Sequence, residues 1–142
     1  IASRAADLGA ERFVLDDGWF GRRDDDTSSL GDWQIDPRKH PDGFGPLIDH
    51  IHGLGMDFGL WFEPEMVNPD SDLYRHHPDW VLGAADQPLG RHQLVLDMAQ
   101  APVRDYLFDQ MAALLGSNDI AYVKWDHNRL LPQRDAAQTH GL

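Results

Sequence analysis

A lysine and an aspartate stand two residues apart at positions 124 and 126, where a short apolar run ends in charge: Tyr122, Val123, Lys124, Trp125, Asp126, His127, Asn128, Arg129. In an extended strand, side chains two apart share a face. Lys124 and Asp126 therefore point together, and Trp125 points the other way. A neighbouring cation favours the ionised form of a carboxylate, and an ionised, oriented carboxylate can act as a nucleophile. The same pair could equally be a surface ion pair, because such networks shift pKa values without a catalytic role. Two other apolar runs also end in acid. Asp16 and Asp17 follow Phe13, Val14 and Leu15, and Glu63 and Glu65 follow Leu60, Trp61 and Phe62.

Composition narrows the partners. The chain has 142 residues, enough for one modest domain. Hydrophobic residues make up 42 % of it, which allows a packed core. Acids outnumber bases 24 to 12, giving a formal net charge of −12. Nucleic acid and anionic membrane are bound through basic patches, so this balance argues against both. No apolar run is long enough to span a bilayer, and no signal-peptide pattern opens the chain. With no cysteine there is no disulfide framework, no thiolate metal site and no Cys nucleophile. A reducing cytoplasm is the expected location.

The elements that must position these groups alternate. Residues 2–8 read as a helix closed by Gly9, and residues 12–15 as a buried strand ending at Asp16 and Asp17. Residues 21–46 are rich in Asp, Gly, Pro and Ser and read as a long loop; long ordered loops are usually functional. Asp24, Asp25 and Asp26 within it read as solvated surface. Residues 46–54 carry Leu47, Ile48, Ile51 and Leu54 on one helical stripe. His50 and His52, two apart on that helix, do not face one ligand together. Residues 58–62 form the second strand, with Trp61 and Glu63 on one face. A second excursion runs from 66 to about 100. Its runs at 79–82 and 93–97 are compatible with a β-hairpin over the domain or, for the second run, a further parallel strand. Pro102 opens a helix to about 115, and residues 120–125 form the third strand.

Helix, strand, helix, strand, helix, strand implies right-handed βαβ units and a parallel sheet. Carboxylates and tryptophans gather at the strand C-termini, where both a (β/α)8 barrel and a doubly wound sheet place their sites. No Gly-rich phosphate loop is present, so a nucleotide site is not expected. A barrel needs about 250 residues, and three strands cannot close one. The chain is therefore expected to be part of a barrel, residues 1–142 forming a fragment of one catalytic domain. The missing start methionine and the weakly patterned stretch after Arg129 agree with that expectation.

Four motifs, LDDGWFG at 15–21, LGDW at 30–33, GLWFEPEM at 59–66 and KWDHNR at 124–129, stand in order across most of the chain. Together they resemble the α-galactosidases of glycoside hydrolase family 36. That resemblance implies a retaining hydrolase of the (β/α)8 class, acting on terminal α-linked galactose of the raffinose or melibiose type, with no cofactor. It implies that Asp126 is the nucleophile and Lys124 a sugar contact. It implies that Asp16 and Asp17 bind the galactose O4 and O6 hydroxyls, that Trp61 lines the sugar pocket and that Arg91 reaches it. If Arg91 does so, the hairpin is favoured over the extra parallel strand, and the barrel strands present are the second, third and fourth. The first strand and strands five to eight are then missing. The parent enzyme could be a homo-oligomer, and Trp33 either covers the site from a loop or packs at an oligomer contact.

Two departures bear on activity. Family members often carry Met where this chain has His127. The family's acid/base is an Asp on the sixth barrel strand, after a Gly-rich, Ser-containing motif, and nothing after Arg129 resembles it. Retaining glycosidases use two carboxyl groups about 5–5.5 Å apart, and Asp126 supplies only the attacking one. Trp19 could wall a sugar pocket or sit in the core; Glu63 and Glu65 could support the pocket or partner Lys124 or Arg91. The same family also holds N-acetylgalactosaminidases and galactosyl transferases. Two other classes stay open. One is a metal-dependent barrel enzyme with Asp16, Asp17, Glu63 and Asp126 as oxygen ligands, which a lysine beside the carboxylate disfavours. The other is a carbohydrate-binding fragment without catalysis.

Overall fold

The computed structural model describes residues 1–84 and 87–129. Its centre is β2, Asp57–Phe62, with β1, Arg12–Leu15, on one side and β5, Tyr122–Trp125, on the other. Both pairings are parallel: Leu15 lies opposite Leu60, and Trp61 opposite Lys124. The helices α1, Ala2–Asp7, α2, Gly45–Gly53, and α4, Ala101–Ser117, alternate with these strands. The result is a mixed α/β fold in which the parallel strands form one arc of a (β/α)8 barrel.

Parallel sheets are covered on both faces, so their middle strands read as continuous apolar runs. Phe58, Leu60, Trp61 and Phe62 are all buried in β2. The one residue without a side chain there is Gly59. A Cβ at that position would meet Val14 Cγ2 at 3.1 Å and Tyr122 Cβ at 3.2 Å. The three strands therefore pack across this face only because position 59 is empty.

Each long helix lies on the sheet through an apolar stripe. Ile48 and Ile51 are buried in α2, and Val103, Leu107 and Leu114 in α4. Both helices carry proline in their first turn, where its missing N–H costs nothing. The last carbonyls of α4 are met by side chains, Ser117 Oγ on Ala113 O at 2.6 Å and Asn118 Nδ2 on Leu114 O at 2.9 Å. These elements match the sequence expectation to within two residues at each end. Only β5 starts two residues later than expected, at Tyr122.

The long loop after β1 forms neither helix nor regular strand. It folds back through an antiparallel bridge between Phe20 and Ile35, and it delivers Trp19, Phe20, Leu30 and Trp33 to the core. There Trp19, Trp33, Phe44 and Phe62 pack with ring centroids 5.3–6.0 Å apart. Trp33 is therefore a core residue, 1 % exposed, which leaves it no free surface for an oligomer contact; from its loop it packs 6.2 Å from the Trp61 ring. Trp19 is core as well, and its Nε1 donates to the Trp61 carbonyl at 3.0 Å.

The second excursion is antiparallel, not a further parallel strand. Strand β3, Met66–Val67, pairs with β4, Leu94–Val95, and Val81 bridges Leu96 on the other side. This agrees with the hairpin reading. A five-residue helix α3, Asp72–His76, and the two-residue β3 escaped the sequence reading because neither is long enough to repeat its period twice. The N-terminus of α3 is capped twice. Ser71 Oγ accepts from Tyr74 N at 3.0 Å, and Asp32 accepts from Asp72 N at 3.0 Å and Leu73 N at 2.9 Å.

Candidate active site

Parallel neighbours in register share a face, so Trp61 and Lys124 point the same way. Asp16 follows Leu15 and falls level with Trp61 on the far side of β2. The Lys124 side chain crosses the middle strand and reaches Asp16 Oδ2 at 2.7 Å. That bond raises the Lys124 pKa, so the ammonium stays charged.

Asp126 leaves the C-terminal end of β5 and sits among three donors. Trp61 Nε1 and Asn128 Nδ2 both reach Oδ2, at 2.9 and 2.7 Å. The His127 amide reaches Oδ1 at 2.8 Å. Partial burial works against the charge on Asp126. The bonds from Trp61, Asn128 and the His127 amide, aided by Lys124, outweigh it and hold the carboxyl below the ordinary carboxylate range. Oδ1, with one donor, keeps more lone-pair capacity than Oδ2.

Asp17 points to a different partner. Its carboxylate takes a two-pronged contact from Arg23, with Nε on Oδ1 and Nη2 on Oδ2, each at 2.8 Å. Arg23 is 3 % exposed and also donates to the Ser28 carbonyl and to Asn68 Oδ1. A planar guanidinium fixes a carboxylate in orientation as well as in charge. Arg23 precedes Asp24, Asp25 and Asp26, which are exposed. Among so many solvated charges, nothing in the local sequence marks it as buried.

Trp61 is 2 % exposed. Its ring stacks with Phe20 at 6.1 Å, and its indole N–H is the group that reaches the carboxylate at the site. Glu63 does not pair with Lys124 or Arg91. It is buried, and it accepts from the Asn128 amide at 2.6 Å and from Gln93 Nε2 at 3.1 Å. Glu65 pairs with His127 Nδ1 at 2.9 Å.

Arg91 is exposed, at the tip of a tight turn closed by the bridge between Gly90 and Gln93. The turn lies against the chain just past Asp126. Arg129 donates to the Gln93 carbonyl, and a Cβ on Gly90 would come within 3.1 Å of Arg129 Nε. The structure thus gathers Asp16, Lys124, Trp61 and Asp126 directly. Asp17 stands beside Asp16 and is held by Arg23, and Arg91 is tied to the same strand ends through Gln93. The residues that sequence reasoning missed are Arg23, Asn68, Gln93 and Asn128. Only Asn128 had a local signal, a polar residue two after Asp126.

The four carboxylates of the metal-enzyme alternative do not gather. Among the described residues no group of three or more His, Asp or Glu side chains could hold a metal ion. Asp16 and Asp17 instead face a lysine and an arginine.

The melibiase family model matches residues 1–141. The chain belongs to the melibiase family. An α-galactosidase of this kind from Escherichia coli is 53 % identical over 135 residues, covering 94 % of this chain and 19 % of that protein. The α-galactosidase AgaA of Geobacillus stearothermophilus is 54 % identical over 131 residues, covering 91 % of the chain and 18 % of the protein. Among solved structures, family 36 AgaB from the same organism superposes with a TM-score of 0.86 at 50 % identity, covering 96 % of this chain and 19 % of that one. An AgaA variant with raffinose bound gives 0.85 at 49 %, covering 96 % and 20 %. The chain thus spans about a fifth of the length of these relatives.

Proposed function

We propose that this chain carries the nucleophile and part of the sugar-binding wall of a retaining α-galactosidase. The observation that supports this reading best is Asp126. It is a carboxylate at a strand C-terminus, kept ionised by three hydrogen bonds and a lysine. In the proposed reaction an Asp126 oxygen attacks the anomeric carbon of an α-galactoside. The bond from that carbon to the leaving oxygen breaks, and the leaving oxygen takes a proton from a general acid elsewhere in the barrel. Water then hydrolyses the glycosyl ester with inversion at the same carbon, so configuration is retained overall.

The remaining roles follow the same geometry. Asp16, Asp17, Lys124 and Arg91 supply acceptors and donors for the galactose hydroxyls. The rigid Trp61 contributes its indole N–H to Asp126 and its buried ring to the pocket floor. Substrates of the raffinose and stachyose type are proposed because relatives were crystallised with those sugars. A cytoplasmic location suits a chain without cysteine.

The test is made on the full-length protein that carries this chain. Asp126→Ala is expected to remove turnover of an α-galactoside by several orders of magnitude while galactose still binds. Added azide should restore part of the rate and give a β-galactosyl azide. Near-normal turnover in that variant, or a mechanism-based label found on Asp17, would overturn the assignment.

A further inference from the structure

Glu63 is 1 % exposed, and its two oxygens hold two different parts of the site. Oε1 accepts from the Asn128 backbone N–H at 2.6 Å, and Asn128 Nδ2 in turn donates to Asp126 Oδ2 at 2.7 Å. Oε2 accepts from Gln93 Nε2 at 3.1 Å, and Gln93 closes the turn that presents Arg91.

That turn is strained. Arg91 and His92 have φ of 52° and 61°, a left-handed pair in a two-residue hairpin where Asn-Gly is the comfortable choice. Such a conformation persists only where its surroundings force it. The forcing contacts are visible. Asn68 Nδ2 donates to the His92 carbonyl at 2.9 Å, Arg129 donates to the Gln93 carbonyl, and Glu63 holds the Gln93 side chain.

We propose that Glu63 is a positioning residue that sets the Asp126 carboxylate and the Arg91 turn at a fixed separation. The proposal rests on the reading of Asp126 as nucleophile. Glu63 touches neither Asp126 nor Arg91. It acts through Asn128 on one side and Gln93 on the other, so that attacking group and sugar contact are registered to one buried carboxylate. Carboxylate oxygens are suited to this because each can anchor a separate donor.

The experiment uses the full-length enzyme and compares Glu63→Asp with Glu63→Gln. The aspartate keeps the charge but is one methylene shorter and cannot span both partners. Its kcat/KM is expected to fall about a hundredfold, the scale of an ångström's misplacement in an active site. The acid limb of its pH profile should move to higher pH, because the Asn128 bond that lowers the Asp126 pKa is weakened. The glutamine keeps an oxygen for the Asn128 amide, and its own amide can meet Gln93 Oε1, which is buried and unpartnered. That variant should stay close to the parent, with its acid limb in place.

Asn128→Ala guards against a variant that fails to fold. It removes the relay to Asp126 and leaves Glu63 and its Gln93 bond intact, so it should shift the acid limb in the same direction as Glu63→Asp. Adding Glu63→Asp to it should move the limb no further. An unmoved limb in Glu63→Asp, equal damage from Asp and Gln, or a further shift in the double variant would overturn the proposal. A parent that cleaves no α-galactoside would overturn the functional reading itself.

Discussion

At the residue scale, Asp126 is an unusually well-supplied carboxylate, and that sets its pH behaviour. Its pKa is depressed in the folded chain, so its contribution to stability is complete above the unfolded value of about 3.9. The contribution fades as pH falls through the lower folded value. Turnover should follow the same sign. The acid limb of kcat/KM is expected below about pH 4 if ionisation of Asp126 governs it. Lys124→Met removes a cation near Asp126 and the partner of Asp16 together. That variant should lower both affinity and rate and push the acid limb upward; a limb that stays in place would show that Lys124 does not tune Asp126. The residue types at the site were legible because aspartate, lysine and tryptophan at strand ends have few common uses. Their partners were not. Arg23 and Asn68 reach the site from 6 and 45 residues away from each partner, respectively Asp17 and Arg23, and such pairings leave no trace in local order.

At the scale of elements, legibility tracked length. The helices α2 and α4 and the strands β1, β2 and β5 each offered enough residues to show a period. The five residues of α3 and the two of β3 did not. What fixes α3 is remote. Asp32, from the LGDW motif of the preceding loop, accepts both of its first amides. Asp32→Ala should therefore cost about 1 kcal/mol, the usual worth of an N-cap, read as a lower urea midpoint with an unchanged slope. Burial raises the Asp32 pKa, so the ionised form is disfavoured by folding at this position. Its effect on stability runs opposite to that of Asp126, being most favourable below its unfolded value and lost as pH rises through the folded one. Gly59→Ala is a second test at this scale. Crowding against Val14 and Tyr122 should destabilise by about 1–3 kcal/mol, the range for overpacked positions. A neutral result would mean that β1 and β5 can separate without loss.

For the whole molecule, the sheet order among the described residues leaves β1 and β5 as edges. Trp125 and Phe108 are 53 % and 72 % exposed, and with Leu115 they border a largely apolar cavity of about 400 Å³ against α4. Exposed strand edges and apolar patches promote association. Residues 1–142 on their own should therefore self-associate at micromolar concentration. Phe108→Glu should reduce that in sedimentation velocity, and a monodisperse parent would contradict it. The site has one more property that its contacts dictate. Trp61 and Asp126 are 65 residues apart, and Asp16 and Lys124 are 108 apart. Contacts at such separation close late, because the loop entropy is lost before they repay it. A ribosome emits Asp16 and Asp17 long before Lys124. Until β5 emerges and docks, the nascent chain carries two tethered carboxylates and no counter-charge from that strand. Under the proposed function, the Asp16–Lys124 part of the sugar wall would therefore be assembled only once β5 has docked, however early Asp16 was made.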